Sequence, residues 1–194
     1  GNLVASAFAG YPTHYPQPNH AEQNADEWWR AVGVSSRELF ARSGIDPSEI
    51  AAVGFSAMMA ACLPVDEQGE ALAPCIIWQD QRASVENQFM IDRCGFKRIY
   101  QISGQRPSAG NSAPKYLWLR DHAPELWRRT YKLLMPKDYV VHKLTGVFAS
   151  DYSDASQTML FDLGKRDWSD ELLGEIGIER EMLPDLYPSP TVVG

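Results

Sequence analysis

An indole, a carboxylate and a guanidinium stand two residues apart in Cys75-Ile76-Ile77-Trp78-Gln79-Asp80-Gln81-Arg82. Cys75 to Trp78 is a short apolar run of strand type, and polar residues follow it at once. That is the pattern of a buried strand presenting chemistry at its C-terminal tip. An aromatic face beside a carboxylate and a guanidinium suits a polyol, whose C–H faces stack on the ring while its hydroxyls bond to the charged groups. The plain alternative is a core tryptophan followed by a charge pair at a helix start. A second run, Val53-Gly54-Phe55-Ser56-Ala57-Met58-Met59-Ala60, has the same form and ends in thioethers, more often core filler than a pocket lining.

Two strand tips do chemistry together only if the chain between them folds back. Ala60 to Val65 and Ala71 to Trp78 read as strands around the turn Asp66-Glu67-Gln68-Gly69, a hairpin in which Gly69 takes the positive φ. Upstream, Leu3 to Phe8 reads as a strand, and Gly10 to Asn19 is a proline-rich loop. Ala25 to Ser43 is predicted as a helix, with Asn24 or Asp26 as cap and Gly44 as stop. After the turn Asp46 to Glu49, Ile50 to Ser56 is predicted as a buried strand, and strand, helix, strand in that order means an α/β layer structure.

Downstream, Arg82 to Arg93 and Phe96 to Ile102 are predicted helices, and Gln101 to Ser112 is a polar loop. Pro114 suits a first helical turn, with Leu117 and Trp118 pointing inward. A short helix from Ala123-Pro124-Glu125, a strand Lys132 to Met135 and a helix Lys137 to Leu144 ending at Gly146 follow. Asp151 and Asp154 are N-cap candidates, Trp168 to Gly177 is a helix, and Val192-Val193-Gly194 resembles the start of a strand.

The chain has 194 residues, enough for one large domain with a real core. Net charge is −7 with scattered basic residues, which argues against a nucleic-acid partner. No apolar run is long enough to cross a bilayer, so a soluble protein without a membrane partner is expected. Cys62, Cys75 and Cys94 form neither a C-x-x-C pair nor an even set, and the four histidines lack metal-ligand spacing, so no disulfide frame and no metal site are expected. A reducing cytoplasm fits that cysteine usage.

Several motifs in order resemble the N-terminal, sugar-binding lobe of the FGGY carbohydrate kinases, nearest to the xylulose kinase branch. The most specific is Gly110-Asn111-Ser112-Ala113-Pro114-Lys115-Tyr116-Leu117-Trp118-Leu119-Arg120-Asp121-His122. Others are Ala21-Glu22-Gln23 before Trp28-Trp29, Trp78 to Arg82 as W-x-D-x-R, Pro136-Lys137-Asp138-Tyr139, and Asp151 to Ser156. The resemblance implies an α/β, ribonuclease H-like lobe of the actin-like superfamily, a mixed sheet flanked by helices and lacking its first strand. It implies that residues 1–194 are part of an N-terminal domain, that a C-terminal ATP-binding lobe is absent, and that ATP and Mg2+ are used by the full-length enzyme.

By position, the resemblance makes Met59 and Ala60 sugar-contacting and Trp78 a ring lining the substrate site, with Asp80 and Arg82 on the same tip as further substrate-binding residues. The family's G-Q-M-H-G reads Ala57-Met58-Met59-Ala60-Ala61 here, so two hydrogen-bonding side chains are replaced by apolar groups. That widens the substrate from xylulose to another pentulose, a deoxy sugar or a polyol. The family's phosphate turn is expected before Gly1 and its catalytic aspartate beyond Gly194, so these residues alone are expected not to catalyse. Alternatives are a non-catalytic carbohydrate-binding or actin-like scaffold domain and a glycerol or linear-polyol kinase; a homodimer stays open.

Overall fold

The computed structural model describes residues 1–194, and its longest element is the helix α1, Ala25–Ser43. Its bounds follow from local chemistry. The Asn24 side chain accepts from Asp26 N at 2.9 Å, Asp26 and Glu27 lie at the positive end of the helix dipole, and Gly44 ends it at φ +68°. Trp28 turns inward, donates from Nε1 to Gln23 Oε1 at 3.0 Å and packs edge-on against Tyr139.

The strands are short and form four two-stranded sheets. β1 (Glu22–Gln23) pairs antiparallel with β3 (Cys75–Ile76), and β2 (Leu63–Val65) pairs antiparallel with β4 (Lys132–Leu134). The bridges Cys62↔Ile76 and Val65↔Ala71 join β2 to the β3 arm, so the expected hairpin forms and the order across this ribbon is β1, β3, β2, β4. β5 (Ala149–Asp151) runs parallel to β8 (Asp185–Tyr187), and β6 (Phe161–Asp162) is antiparallel to β7 (Asp167–Trp168). The α/β class therefore stands, with the strands dispersed in pairs.

Helices close over both faces of the ribbon. On one side Leu63, Cys75, Ile77 and Leu134 pack with Trp28 of α1 and Tyr139 of α6 (Pro136–Thr145). On the other, Cys62 and Ile76 join a larger cluster under α2 (Ser84–Cys94), α3 (Phe96–Ser103) and α4 (Ser112–His122). Successive strand side chains point to opposite faces, so a strand covered on both sides reads as an unbroken apolar run. The short helices α5 (Pro124–Arg129), α7 (Tyr152–Ser156) and α8 (Asp170–Ile176) complete the shell.

Two expected strands are corrected. Leu3 to Phe8 and Ile50 to Ser56 belong to no sheet, and no backbone hydrogen bond involves residues 51–61. Val53 is 67% exposed where burial was expected. Their composition favours extended backbone, but a strand exists only where a neighbour supplies the ladder. A groove of about 410 Å³ runs between Ala7–Phe8 and Phe55–Met58 over Trp28, and another of about 710 Å³ flanks Ile50 to Phe55 on the side of Val141 and Ser150. Trp168 lies in β7 and the helix after it is capped by Ser169, Asp151 caps α7 while Asp154 is buried within it, and no strand forms at Val192–Gly194.

The hairpin turn depends on Gly69. It takes φ +77°, and a Cβ there would lie 1.9 Å from His142 Nε2, whose ring is stacked on Phe148 at 4.0 Å. Gly69→Ala should cost about 2 kcal/mol from the left-handed backbone and the clash together. Adding His142→Ala should leave the double variant about 1 kcal/mol more stable than the two single losses add to, in a urea-melt double-mutant cycle.

Asp138 supplies a pH-dependent term. It is 1% exposed, its Oδ2 accepts from Met135 N at 3.0 Å, and Oδ1 has no partner. Burial, reinforced by the neighbouring Asp154 carboxylate, pushes its carboxyl from 3.8 up to about 7. A raised folded-state value means the folded protein holds the proton more tightly, so the associated stability is full below pH 3.8 and is lost as pH rises through about 7. Asp138→Asn keeps an acceptor for Met135 N and should flatten the decline in urea midpoint across that window.

Candidate functional site

β3 ends at Ile76, Ile77 is buried, and the chain then turns sharply. At the turn Trp78 is 54% exposed, and Gln79 and Gln81 face solvent. Asp80 goes the other way and is wholly buried. Its Oδ2 accepts from Ala21 N at 2.6 Å and from Arg82 Nη2 at 2.7 Å, and its Oδ1 accepts from Arg82 N at 2.9 Å and Nε at 3.0 Å. Arg82 Nη2 also donates to Glu22 Oε1 at 2.7 Å, and the guanidinium lies over the Trp118 ring, 4.9 Å from its centroid.

This arrangement separates the sequence candidates. Trp78 is presented to solvent, so its indole is not core packing. Asp80 and Arg82 face inward and satisfy each other, which is the plain charge-pair alternative realised just before α2. The pair, together with Glu22, ties the tip of β3 to β1. Buried charges persist only when paired and hydrogen-bonded in this way.

Met59 and Ala60 sit half-buried at the second tip. Ala60 has φ +58°, a left-handed conformation that costs a residue with a Cβ about 1–2 kcal/mol. Its carbonyl accepts from Lys115 Nζ at 2.6 Å, and the same ammonium donates to Gly110 O at 2.5 Å. The two carbonyls therefore lie within about 5 Å of each other. Gly110 in turn touches the first tip, since a Cβ on it would lie 3.3 Å from both Trp78 O and Gln81 Nε2. Burial lowers the Lys115 ammonium to about 8, and the side chain is inaccessible to solvent.

The loop carrying Gly110 is held on its other side by Asn111 Nδ2, which donates to Gln157 O at 3.1 Å, and by Ala113 N, which donates to Thr158 O at 3.1 Å. Met59, Ala60, Lys115, Gly110 and Trp78 thus form one connected patch. Single-residue reasoning passed over Lys115 and Gly110, although both stand in the most specific motif. The available signal was a lysine inside the otherwise apolar stretch Ala113-Pro114-Lys115-Tyr116-Leu117.

Chemically, the patch offers an indole face with exposed amides beside it, and Tyr15 OH donates to Gln79 Oε1 at 3.4 Å. Rings of this kind stack on sugar C–H faces while amides serve hydroxyls. Met58 lines the 410 Å³ groove next to the patch, whereas Trp78 lines neither groove. The chain holds no group of three or more His, Cys, Asp or Glu placed to bind a metal ion. Met59, Ala60, Gly110, Lys115 and Trp78 include no carboxylate and no imidazole.

Residues 1–194 match the family model described as "FGGY family of carbohydrate kinases, N-terminal domain". The chain is 34% identical over 194 residues to the xylulose kinase of Escherichia coli (strain K12), covering all of this chain and 39% of that protein. It is also 34% identical over 197 residues to a glycerol kinase of Thermococcus gammatolerans, covering all of this chain and 40% of that one. A crystal structure described as a "xyloylose kinase" from Brucella ovis superposes with a TM-score of 0.90 at 31% identity, over 96% of this chain and 38% of the other. The chain thus spans about two fifths of the length of these relatives. With its whole length accounted for by that family model, the chain belongs to the FGGY carbohydrate kinases and is an N-terminal domain of that family.

Proposed function

We propose that this chain is the substrate lobe of an ATP-dependent sugar kinase that phosphorylates a hydroxyl of a pentulose or a related sugar, on the xylulose kinase pattern. The observation that carries this is the exposed Trp78 indole on a tip braced from behind by the buried Asp80–Arg82 pair. Trp78 and Met59–Ala60 contact the sugar, and Asp80 and Arg82 act by holding Trp78 in place. This assignment keeps all five sequence candidates at the site but gives the two charged ones a positioning role.

ATP and its divalent metal do not fit the residues present. No metal-binding cluster is available, and the exposed tip carries no free cation for a phosphate, because Arg82 is spent on Asp80 and Glu22. We therefore assign nucleotide binding to a second lobe of the whole protein, and the fragment is proposed to be inactive alone. No helix is long and apolar enough to cross a membrane.

A glycerol or linear-polyol kinase is the second reading. It is favoured by the glycerol kinase match, equal in identity to that of the xylulose kinase, and by the apolar Ala57-Met58-Met59-Ala60-Ala61, which offers no side-chain hydrogen bond to a ketose hydroxyl.

A coupled ADP-release screen on the full-length protein across pentuloses, hexuloses and polyols tests both readings. A pentulose should be the best substrate. Trp78→Ala should raise the sugar KM up to about tenfold, from a lost stack of roughly 0.5–1.5 kcal/mol, and leave the ATP KM unchanged. Asp80→Ala should instead destabilise the protein by about 3 kcal/mol, because it leaves the buried Arg82 with Glu22 as its remaining carboxylate and takes the acceptor from Ala21 N. Absence of sugar-dependent ADP release, or wild-type efficiency in Trp78→Ala, would sink the proposal.

A further inference from the structure

Lys115 poses a question that packing does not answer. Its side chain is fully buried in the first half of α4, near Cys62 and Cys75, and it makes no salt bridge. An ammonium stripped of water with no carboxylate in ion-pair contact is unfavourable, and a leucine or methionine would fill the same space without that cost. What an ammonium can do, and an apolar side chain cannot, is bind two carbonyl oxygens that belong to different loops.

The two carbonyls it binds are those of Ala60 and Gly110. Residues 51–61 make no backbone hydrogen bond, and the bond from Lys115 Nζ to Ala60 O is the single hydrogen bond of any kind to this stretch. Lys115 therefore fixes the Ala60 carbonyl beside Ala61, which is buried in the core, and it does so with Ala60 in a backbone conformation that a side-chain-bearing residue avoids. Lys115 reaches Gly110 at the same time, and Gly110 lies against Trp78. One nitrogen thus fixes the distance between the two walls of the patch.

We propose that Lys115 is the positioning residue that sets the width of the sugar pocket, by tying the Met59–Ala60 tip to the Gly110–Trp78 wall. This rests on the reading of the patch as a sugar site. The consequence is specific: loss of the tie loosens contacts to the sugar and leaves the nucleotide untouched. A residue that matters only for stability would instead lower both affinities and protection throughout the core.

The test uses the full-length protein with Lys115→Met and Lys115→Gln. For Lys115→Met, the sugar KM should rise at least about tenfold, kcat should stay within about threefold, and the ATP KM should not move. Lys115→Gln, with a shorter reach but retained N–H donors, should fall between it and wild type. Amide hydrogen exchange should quicken in 57–61 and 108–112 while α3 and the rest of α4 stay protected. Because glycine adopts φ near +58° without strain, Ala60→Gly in the Lys115→Met background should recover several-fold of the lost sugar affinity.

Unchanged exchange at 57–61, an unchanged sugar KM, equal losses in both KM values, or unfolding of both lysine variants would each overturn the proposal. If wild type phosphorylates no sugar, the sugar-kinase reading fails separately, and the exchange pattern still decides whether Lys115 ties the two loops.

Discussion

Asp80 and Arg82 have no water to turn to, and the geometry of the site follows from that. A carboxylate and a guanidinium at the end of a strand buried on both faces must satisfy each other or move the chain until they reach solvent. Here they satisfy each other, with Ala21 N and Glu22 as further partners. The backbone is drawn inward at Asp80, and the neighbouring Trp78 is turned outward. Such a pair roughly balances its own desolvation, so its value lies in geometry more than in stability. The cation–π contact of Arg82 with Trp118 carries that geometry into α4.

The second tip is built on the opposite principle. It has no ladder and no ion pair, and it is held by one ammonium on one carbonyl and by the packing of Met58 and Ala61 against the core. A rigid wall with an aromatic face opposes a lightly held wall with thioether and methyl groups. The second wall carries apolar groups, so under the proposed sugar reading discrimination between polyols there comes from shape and backbone groups.

The grooves on either side of Ile50 to Met58 have a related origin. Extended apolar backbone without a neighbouring strand leaves its N–H and C=O groups to solvent and its side chains half-covered. The ribbon β1, β3, β2, β4 has no such deficit, because each strand finds a partner and each face finds a helix. That contrast explains why the Trp78 tip is tied by a ladder and ion pairs while Ala60 makes a single hydrogen bond.

Much was legible in the residues themselves. The bounds of α1, the hairpin turn at Gly69, the cap at Asp151 and the family motifs all depend on interactions a few residues apart, and such interactions are written in sequence order. The exposure of Trp78, the inward turn of Asp80 and Arg82, the missing partners of Leu3–Phe8 and Ile50–Ser56 and the reach of Lys115 to Ala60 join residues up to 60 positions apart. An apolar run looks the same whether a neighbouring strand exists or not, and a lysine in a helix looks the same whether it meets water or two carbonyls. Only the folded chain brings the partners that decide between them, because desolvation and hydrogen-bond satisfaction are properties of the surroundings and not of the residue.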